Sequence, residues 1–381
     1  MENTTYLTIA LVTRSKDGYS ETFIESHRTL LPYNVLFVYG THFPLYKLDG
    51  RPIKGGNHSL GNLYERLLRK FGKLPSDYFQ KKALQKYFAD HKVKAVLAEY
   101  GTTGVLVMDV CEKMGIPLIV HFYGFDAYRH ELLARMREQY RELFRKSAAI
   151  VAVSLDMLKK LESLGAPAEK LHYNPCGVDV NLFTRTVPSK NPLVFLSAGR
   201  FVEKKAPYLT LLAFQKVLEQ VESSSLVMVG DGELLDVCKN ISRSLKLDDH
   251  VQFIGACDHL KLAQLMQSAR GFVQHSIVPS SGDSEGTPVA ILEACASGLP
   301  VISTRHGGIP EVIENNKNGF LVEEGDIEKM AEYMIWIAKN PEKADEIGNH
   351  ARQNMEENFN MQLRIANLTK IIQNAIEEYS R

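Results

Sequence analysis

Short apolar runs alternate with longer segments of helical periodicity along the whole chain. Continuous apolar runs bounded by polar or glycine positions predict strands that are buried on both faces. In the first half, these runs lie at residues 6–12, 34–39, 95–98, 117–122 and 149–153. Residues 41–60, which are rich in glycine and proline, predict a loop or a small hairpin.

The second half repeats the alternation more regularly. Its predicted strands occupy residues 193–197, 226–229, 251–254, 272–275, 301–303 and 320–322, and its predicted helices begin near residues 207, 232, 258, 288, 309 and 327. Strands and helices in alternation are typical of a parallel sheet covered by helices. The sequence therefore predicts an α/β fold with two Rossmann-like domains, each of which binds ligands at the carboxyl ends of its strands.

A polar segment between two prolines, residues 184–192, separates the two halves. We therefore place an N-terminal domain at residues 1–187 and a C-terminal domain at residues 188–360. A last helix is predicted within residues 361–381.

One predicted helix carries an unusual pair of glutamates. Thr287 and Pro288 indicate an N-cap followed by proline at the first helical position, and Gly298 indicates the end of the helix. Glu293 lies in the apolar middle of this helix, where an ionised carboxylate requires a partner. That partner is either a core arginine or lysine, or a ligand. Glu285 and the amides of Val289 and Ala290 favour a ligand, because a helix N-terminus attracts anions.

A second candidate for phosphate binding follows the strand predicted at residues 193–197. Gly199 and Arg200 come directly after this strand, and Lys205 precedes the next predicted helix. Two cations at the carboxyl edge of a sheet suit the neutralisation of a bound or departing diphosphate. The chain has neither G-x-x-x-x-G-K-[ST] nor a strand that ends in G-x-G-x-x-G, so a P-loop NTPase and a dinucleotide enzyme are not expected.

Composition excludes several classes of protein. The chain has 381 residues, of which 45% are hydrophobic and 24% charged, with five scattered cysteines. These values are typical of a soluble globular protein, and no apolar run approaches the length of a membrane span. We expect a cytoplasmic protein with reduced thiols, without a zinc site and without another bound metal.

The charge is unevenly distributed between the two halves. Residues 1–190 contain 27 Lys and Arg against 19 Asp and Glu, although the net charge of the whole chain is zero. The predicted helix at residues 127–146 is basic and amphipathic, which is compatible with peripheral docking on an anionic membrane and equally with a solvated helix. A nucleic-acid partner is not expected.

The order of motifs along the chain resembles the retaining glycosyltransferases of family four, which have the GT-B fold. The motifs in the second half are G-R…K-K at 199–205, V-G-D-G at 229–232, E-x7-E at 285–293, A-x-G-x-P-V at 296–301, G-G-I-P-E at 307–311 and N-G-F-L-V at 318–322. C-G-V-D at 176–179 and A-V-S at 152–154 precede them, and Y-S-E-T-F-I at 19–24 resembles the branch that builds bacterial exopolysaccharide and surface glycans.

The resemblance implies a role for each matched residue. Glu285 would contact hydroxyls of the donor sugar, and Glu293 would accept hydrogen bonds from ribose. Arg200 and Lys205 would bind the diphosphate beside Gly199. Backbone amides near Gly286, Thr287 and Val289 would hold sugar or phosphate oxygens. The last helix would cross back to brace the N-terminal domain.

The chain departs from the family pattern in its first half. Only Gly18 stands in the loop after the first strand, where relatives have more glycines, and Ala206 replaces a commoner glycine. Tyr123 occupies the place of a histidine that is usually aimed at the donor sugar. His121, two residues earlier on the same face of the strand, is the alternative for that role, and Asp126 either shapes the loop or contacts substrate.

The resemblance implies transfer of a sugar from a nucleoside-diphosphate sugar to a glycan or lipid-linked glycan, with hexosyltransferase-like chemistry, no metal and no cofactor. An epimerase or a phosphorylase of the same fold is the alternative enzyme. A non-catalytic scaffold is disfavoured, since a scaffold would need none of Arg200, Lys205, Glu285 and Glu293.

Overall fold

Two parallel sheets form the framework of the protein in a computed structural model that describes residues 6–16, 22–53 and 75–379. Among the described residues, the first sheet has seven strands in the order β3-β2-β1-β4-β5-β6-β7. Its strands are β1 Thr8–Thr13, β2 Asn34–Tyr39, β3 Tyr46–Lys47, β4 Ala95–Glu99, β5 Leu118–Phe122, β6 Ala149–Ala152 and β7 Leu171–Tyr173. Of these seven strands, β3 alone is antiparallel to its neighbour, and it forms the edge beside β2.

The second sheet, in the part of the chain that the structure describes, has six strands, all parallel, in the order β10-β9-β8-β11-β12-β13. Its strands are β8 Val194–Ala198, β9 Ser225–Val229, β10 Val251–Gly255, β11 Gly271–Gln274, β12 Val301–Thr304 and β13 Phe320–Val322. In both sheets the strand order reverses beside the first strand, which creates a crevice at the carboxyl ends where ligands bind in such folds.

Helices connect the strands within each half. Those of the first half are α1 Thr22–Leu30, α2 Tyr78–Asp90, α3 Gly101–Met114, α4 Phe125–Tyr128, α5 His130–Lys146 and α6 Leu155–Ser163. Those that follow are α7 Pro207–Leu218, α8 Leu235–Ser244, α9 His259–Ser268, α10 Val289–Ala296, α11 Ile309–Val312, α12 Ile327–Lys339, α13 Pro341–Asn358 and α14 Met361–Tyr379.

Alternate residues of β1 show how the first sheet is buried. Ala10 and Val12 belong to one apolar core, whereas Ile9 and Leu11 belong to a second core on the opposite face. Because side chains of a strand alternate between faces, both faces of this sheet are covered. The second core includes the buried side of α14, so the last helix packs on the first sheet.

The α/β fold class with two parallel sheets is confirmed. All eleven predicted strands are present, with ends that differ from the prediction by at most two residues. β3 lies inside the segment predicted as a loop or hairpin, and the short β7 was not predicted. The helix expected near residue 232 begins later, at Leu235, after a turn in which the Leu235 amide donates to the Gly232 carbonyl.

The predicted N-cap role of Thr287 is wrong. The N-cap position of α10 is Pro288, and no side chain caps this helix. The Thr287 hydroxyl instead donates to the Val153 carbonyl of the first half, because a tertiary contact competes successfully with the local cap.

Candidate active site

A cavity of about 480 Å³ opens at the carboxyl ends of β8, β9 and β10. Four of the predicted site residues, Gly199, Arg200, Val289 and Glu293, line it. Its other lining residues are Thr22, Ala198, Val229, Gly230, Asp231, Gly232, Ala256, Cys257, His259, Leu262 and Ala290. The start of α10 thus faces this cavity, which is the position expected for an anion at a helix N-terminus.

Glu293 has a protein partner that the sequence did not reveal. Its Oε1 lies 3.1 Å from Nδ1 of His259, the first residue of α9, and its side chain is only 5% exposed. Burial raises the pKa of Glu293 although His259 opposes this effect. The hydrogen bond to Glu293 raises the pKa of His259. The pair therefore places a carboxylate and an imidazole together on the cavity wall.

Glu285 lies between two lysines of the segment that follows β8. Lys205 Nζ is 3.3 Å from Glu285 Oε1, and Lys204 Nζ is 4.0 Å from the same atom. Burial alone would raise the pKa of Glu285, but Lys204 and Lys205 outweigh it and lower this pKa to about 2. Burial also lowers the pKa of Lys205, although Glu285 opposes the change. At neutral pH, Glu285 is therefore ionised and forms an ion pair with Lys205.

Arg200 lines two adjoining cavities, one that contains Glu293 and one beside Lys205, which is the partner of Glu285. Its side chain is exposed, and Gly199 lines both cavities with it. The two predicted cations therefore lie at one continuous edge of the second sheet, next to both glutamates.

The loop that carries Glu285 is packed against the first half of the chain. A Cβ on Gly286 would lie 2.2 Å from the Tyr123 carbonyl oxygen, so this close approach requires glycine. The neighbouring Thr287 hydroxyl also accepts a hydrogen bond from the Cys176 amide. Neither Gly286 nor Thr287 is among the residues that line the 480 Å³ cavity. The structure places them at the contact between the two sheets.

Tyr123 and His121 belong to a hydrogen-bonded chain at the end of β5. The Tyr123 hydroxyl donates to Glu99 at 2.7 Å and lies 2.9 Å from His121 Nδ1, and Glu99 also contacts His27 Nδ1 at 2.7 Å. Burial lowers the pKa of His121 to about 3, so its imidazole is neutral at neutral pH. His121 is only 2% exposed, and its Nδ1 faces the hydroxyl of the half-buried Tyr123.

His27, Glu99 and His121 are also the one group of the described residues whose ligand-type atoms lie within 4.8 Å of one another. His27 Nδ1 contacts Glu99 directly, and the Tyr123 hydroxyl lies between Glu99 and His121 Nδ1, whereas the buried Nε2 of His121 has no hydrogen-bond partner among the described residues. The three side chains therefore belong to one buried polar network.

Asp126 is fully buried and shapes the loop after β5. Its carboxylate accepts hydrogen bonds from the amides of Gly101, Tyr123 and Gly124 at 2.9 to 3.1 Å. Gly18, the other predicted loop residue, lies outside the described residues.

The basic helix α5 has its apolar side turned inward. Leu132, Leu143 and Phe144 are buried, whereas Arg135, Arg137 and Arg141 are exposed. Any contact of α5 with a membrane would therefore be electrostatic, since its apolar side is already covered. In the part of the chain that the structure describes, no helix combines the length and apolar character that crossing a bilayer requires.

The sequence interpretation missed several residues that the structure places around the glutamates. His259 follows Asp258, whose side chain caps α9, and this cap was the only local signal of its position. His306, which follows β12, accepts a hydrogen bond from the Glu285 amide, and Glu324, which follows β13, contacts His306. Glu311, part of the recognised G-G-I-P-E motif, was not assigned a role.

Two sequence families match the chain in consecutive segments. The model for Glycosyltransferase Family 4 matches residues 48–182, and the model for Glycosyl transferases group 1 matches residues 181–354. Together the two matches span residues 48–354.

Individual relatives agree with these matches. A protein of Escherichia coli strain K12 named as a colanic acid biosynthesis glycosyltransferase is 29% identical over 73% of this chain and 70% of its own length. The amylovoran biosynthesis glycosyltransferase of Erwinia amylovora is 28% identical over 73% of this chain and 69% of its own length. The crystal structure of Anabaena HepE with UDP has a TM-score of 0.73 at 18% identity, over 97% of this chain and 100% of HepE. The GT-B fold is thereby confirmed.

Proposed function

Because the chain belongs to the family 4 glycosyltransferases, we propose that it transfers a sugar from a nucleoside-diphosphate sugar to a growing glycan or a lipid-linked glycan, with retention of anomeric configuration. The names of the colanic acid and amylovoran relatives support a glycan acceptor by analogy. The UDP bound to HepE supports a nucleotide-sugar donor in the same way.

One observation carries the proposal: two cations and two carboxylates lie around one strand edge. Arg200 and Glu293 line the same cavity, and Lys205 contacts Glu285 beside it. We assign the diphosphate to Arg200 and Lys205, the ribose to Glu293 and the donor sugar to Glu285. In this arrangement the helix start at Val289 adds a partial positive charge near the diphosphate.

The cations support departure of the nucleoside diphosphate during transfer. As the bond between the anomeric carbon and the phosphate oxygen breaks, negative charge grows on the leaving phosphate and positive charge grows on the sugar ring. Arg200 and Lys205 stabilise the first charge, and the ionised Glu285 stabilises the second. Since two side chains supply the positive charge, we propose that the reaction requires no metal ion. A chelator is then expected to leave the rate unchanged.

The first half would supply the acceptor side of the reaction. The Glu285 loop contacts the main chain at Tyr123 and Val153, so a sugar bound to Glu285 faces the carboxyl ends of the first sheet. The half-buried Tyr123, whose hydroxyl is fixed by Glu99 and His121, is our candidate for contact with the transferred sugar or the acceptor.

The experiment measures turnover of purified protein with a panel of UDP- and GDP-sugars. Glu285→Gln and Lys205→Met are each expected to lower the rate on the order of 100-fold, by loss of charge stabilisation in the transition state. Glu332→Gln and Lys329→Met remove an exposed ion pair of α12 and are the matched controls. Product anomers are identified by NMR.

The proposal fails if Glu285→Gln and Lys205→Met both turn over the donor at the wild-type rate, as the control variants are expected to do. An inverted product would overturn retention alone. Epimer formation without an acceptor, or turnover that depends on inorganic phosphate, would favour the epimerase or the phosphorylase.

A further inference from the structure

Both backbone groups of Glu285 are held by the segment that follows β12. The Glu285 amide donates to Nε2 of His306 at 3.0 Å, and the Glu285 carbonyl accepts from the Gly308 amide at 3.3 Å. The Ser284 hydroxyl lies 3.2 Å from the same Nε2. The main chain on either side of Glu285 is therefore fixed by residues far from it in sequence.

His306 is bound equally closely on its other nitrogen. Its Nδ1 lies 2.7 Å from Oε1 of Glu324, which follows β13, and the imidazole itself has no exposed surface. Because Nε2 accepts a hydrogen from a backbone amide, the ring proton must be on Nδ1, where Glu324 accepts it. The carboxylate thus selects the one neutral tautomer that can hold the Glu285 amide.

Glu324 is anchored in turn to a third strand end. Its Oε2 accepts a hydrogen bond from the Val278 amide at 2.9 Å, so it links the segments after β11 and β13. Gly307, beside His306, has φ +48°, and a Cβ there would lie 2.3 Å from the Glu285 carbonyl oxygen. The packing around Glu285 therefore leaves little room for its main chain to shift.

We propose that His306 and Glu324 are positioning residues that set the place and direction of the Glu285 side chain. Neither needs to contact the donor. The His306 imidazole holds the Glu285 main chain, and Glu324 keeps that imidazole in the required tautomer. This inference rests on the proposed role of Glu285 at the donor sugar. The binding of the nucleotide itself is assigned mainly to Arg200 and Glu293 in the neighbouring cavity, and Lys205, which also contacts Glu285, contributes to the diphosphate.

The two assignments make different predictions for kcat and KM. Loss of the His306 contact displaces Glu285 while the nucleotide cavity keeps its residues, so kcat falls and the donor KM changes little. Displacement of a reacting group by about 1 Å can cost about 100-fold in rate, so we expect His306→Leu to lower kcat between about 10-fold and 100-fold.

Glutamine is the conservative replacement at this position. Its amide oxygen can accept from the Glu285 amide while its NH2 group donates to Glu324, so both bonds of the imidazole are kept. We expect His306→Gln to retain kcat within about threefold of the wild type by preserving this geometry. Glu324→Gln still offers an acceptor to Nδ1 and is expected to be mild, whereas Glu324→Leu should lower kcat about tenfold through loss of orientation.

The decisive experiment combines these substitutions with Glu285→Ala in the full-length protein. Donor turnover is measured for His306→Leu alone, for Glu285→Ala alone and for the double variant. If His306 acts through Glu285, the double variant has the same kcat as Glu285→Ala, because residues that act as a unit are not additive. His250→Leu, which removes a histidine that contacts the Ser224 carbonyl instead, is the matched control. Circular dichroism and thermal unfolding establish the folded fraction of each variant.

Several results would overturn the positioning pair. One such result is a folded His306→Leu variant with wild-type kcat. Another is a double variant in which His306→Leu lowers kcat relative to Glu285→Ala by the same factor as it does in the wild type. A third is an equal loss of kcat in His306→Leu and His306→Gln. If His306→Leu does not fold, the comparison of His306→Gln with Glu324→Leu and Glu324→Gln decides between the same alternatives. A wild-type rate for Glu285→Ala would instead overturn the proposed site, whatever His306 does.

Discussion

His259 Nδ1 lies 3.1 Å from Glu293 Oε1, and this contact makes a titratable histidine the partner of a nearly fully buried carboxylate. The Phe183 and His259 rings are nearly perpendicular, with ring centroids 6.1 Å apart. A half-exposed histidine compensates a buried charge less completely than a buried arginine would, since water screens the charge of the imidazole. Glu293 is therefore held in place at a cost in stability.

Replacement of Glu293 by glutamine tests this cost. Burial raises the pKa of Glu293 even with His259 present, which means that the ionised carboxylate is less favourable in the folded protein than in water. We expect Glu293→Gln to raise the melting temperature without ligand by about 2 °C, for a gain of about 1 kcal/mol in a protein of this size. The same variant should lose affinity for the nucleoside diphosphate, because an amide accepts fewer ribose hydrogen bonds.

Thermal unfolding with and without UDP or GDP checks both parts of this prediction. A lower melting temperature of Glu293→Gln without ligand would show that the charged pair stabilises the fold. An unchanged ligand-induced shift in melting temperature would show that Glu293 does not take part in nucleotide binding. Glu314→Gln, at an exposed ion pair with Lys317, serves as the control.

The histidine of this pair predicts how stability depends on pH. The hydrogen bond to Glu293 raises the pKa of His259 in the folded protein above the ordinary value of 6.5. A raised folded pKa gives a contribution that is complete below the unfolded pKa and is lost as the pH rises through the folded pKa. His259→Gln should therefore cost more stability at about pH 6 than at about pH 8.5.

Urea unfolding of His259→Gln and the wild type at these two pH values measures the difference. In the Glu293→Gln background the pH dependence of the His259 substitution should largely disappear, because the carboxylate that raises the pKa is gone. A cost that is equal at both pH values in the wild-type background would contradict the prediction.

The framework of the fold could be predicted because buried parallel strands are continuous apolar runs. Ala149–Ala152 and Phe320–Val322 show this directly, since both strands are entirely apolar and every residue in them is buried. The short strand Leu171–Tyr173 escaped prediction because its three residues are only half-buried and include a histidine. Such a strand is specified by the neighbouring strand and has little pattern of its own.

Site residues could be predicted from the sequence only where a local motif already indicates a chemical role. Arg200, Lys205 and Glu285 were selected as charged residues at a strand end or before a helix start. Glu293 was selected as a carboxylate in the apolar middle of a helix, and the structure brings all four residues to one edge. The partners of Glu285 and Glu293 were not predicted, because His306 and His259 reach them through the order of strands in the sheet. Thr287 shows the reverse error, since a local cap rule was overridden by a hydrogen bond to Val153 in the first half of the chain.

The exposed arginines of α5 predict a purely electrostatic contact with anionic membranes. Leu132 and Phe144 are buried inside the protein, so no apolar side remains for insertion into lipid. Each exposed arginine near an anionic surface contributes about 1 kcal/mol, and salt screens this attraction. We expect binding to phosphatidylserine vesicles at low salt, lost in Arg135→Ala/Arg137→Ala/Arg141→Ala.

Vesicle flotation at low and high salt measures this contact. Arg243→Ala, at an exposed position of α8 in the other half, should bind as the wild type does. Absence of flotation at low salt, or binding that persists at high salt, would contradict an electrostatic contact.

Glu311 joins the two sheets in a way that predicts how the enzyme closes. Its Oε1 accepts hydrogen bonds from the amides of Leu155 at 2.8 Å and Asp156 at 3.2 Å, which are the first residues of α6. A carboxylate from the second half thus binds the N-terminus of a helix in the first half, where the helix dipole favours negative charge. Hydrogen bonds to a charged group contribute about 1.5 to 3 kcal/mol, so loss of this contact should shift the balance toward an open state about tenfold or more.

Glu311→Ala is therefore expected to have a larger radius of gyration than the wild type in small-angle X-ray scattering with saturating nucleoside diphosphate, and a lower kcat. Glu311→Gln keeps an oxygen that can accept from the two amides, so its radius of gyration and its kcat should lie between those of Glu311→Ala and the wild type. Because the Glu285 loop contacts Tyr123 only when the two halves meet, opening separates Glu285 from the acceptor side and lowers transfer more than donor hydrolysis. Scattering curves that superimpose for Glu311→Ala and the wild type, with unchanged transfer, would show that the contact at α6 does not hold the two halves together.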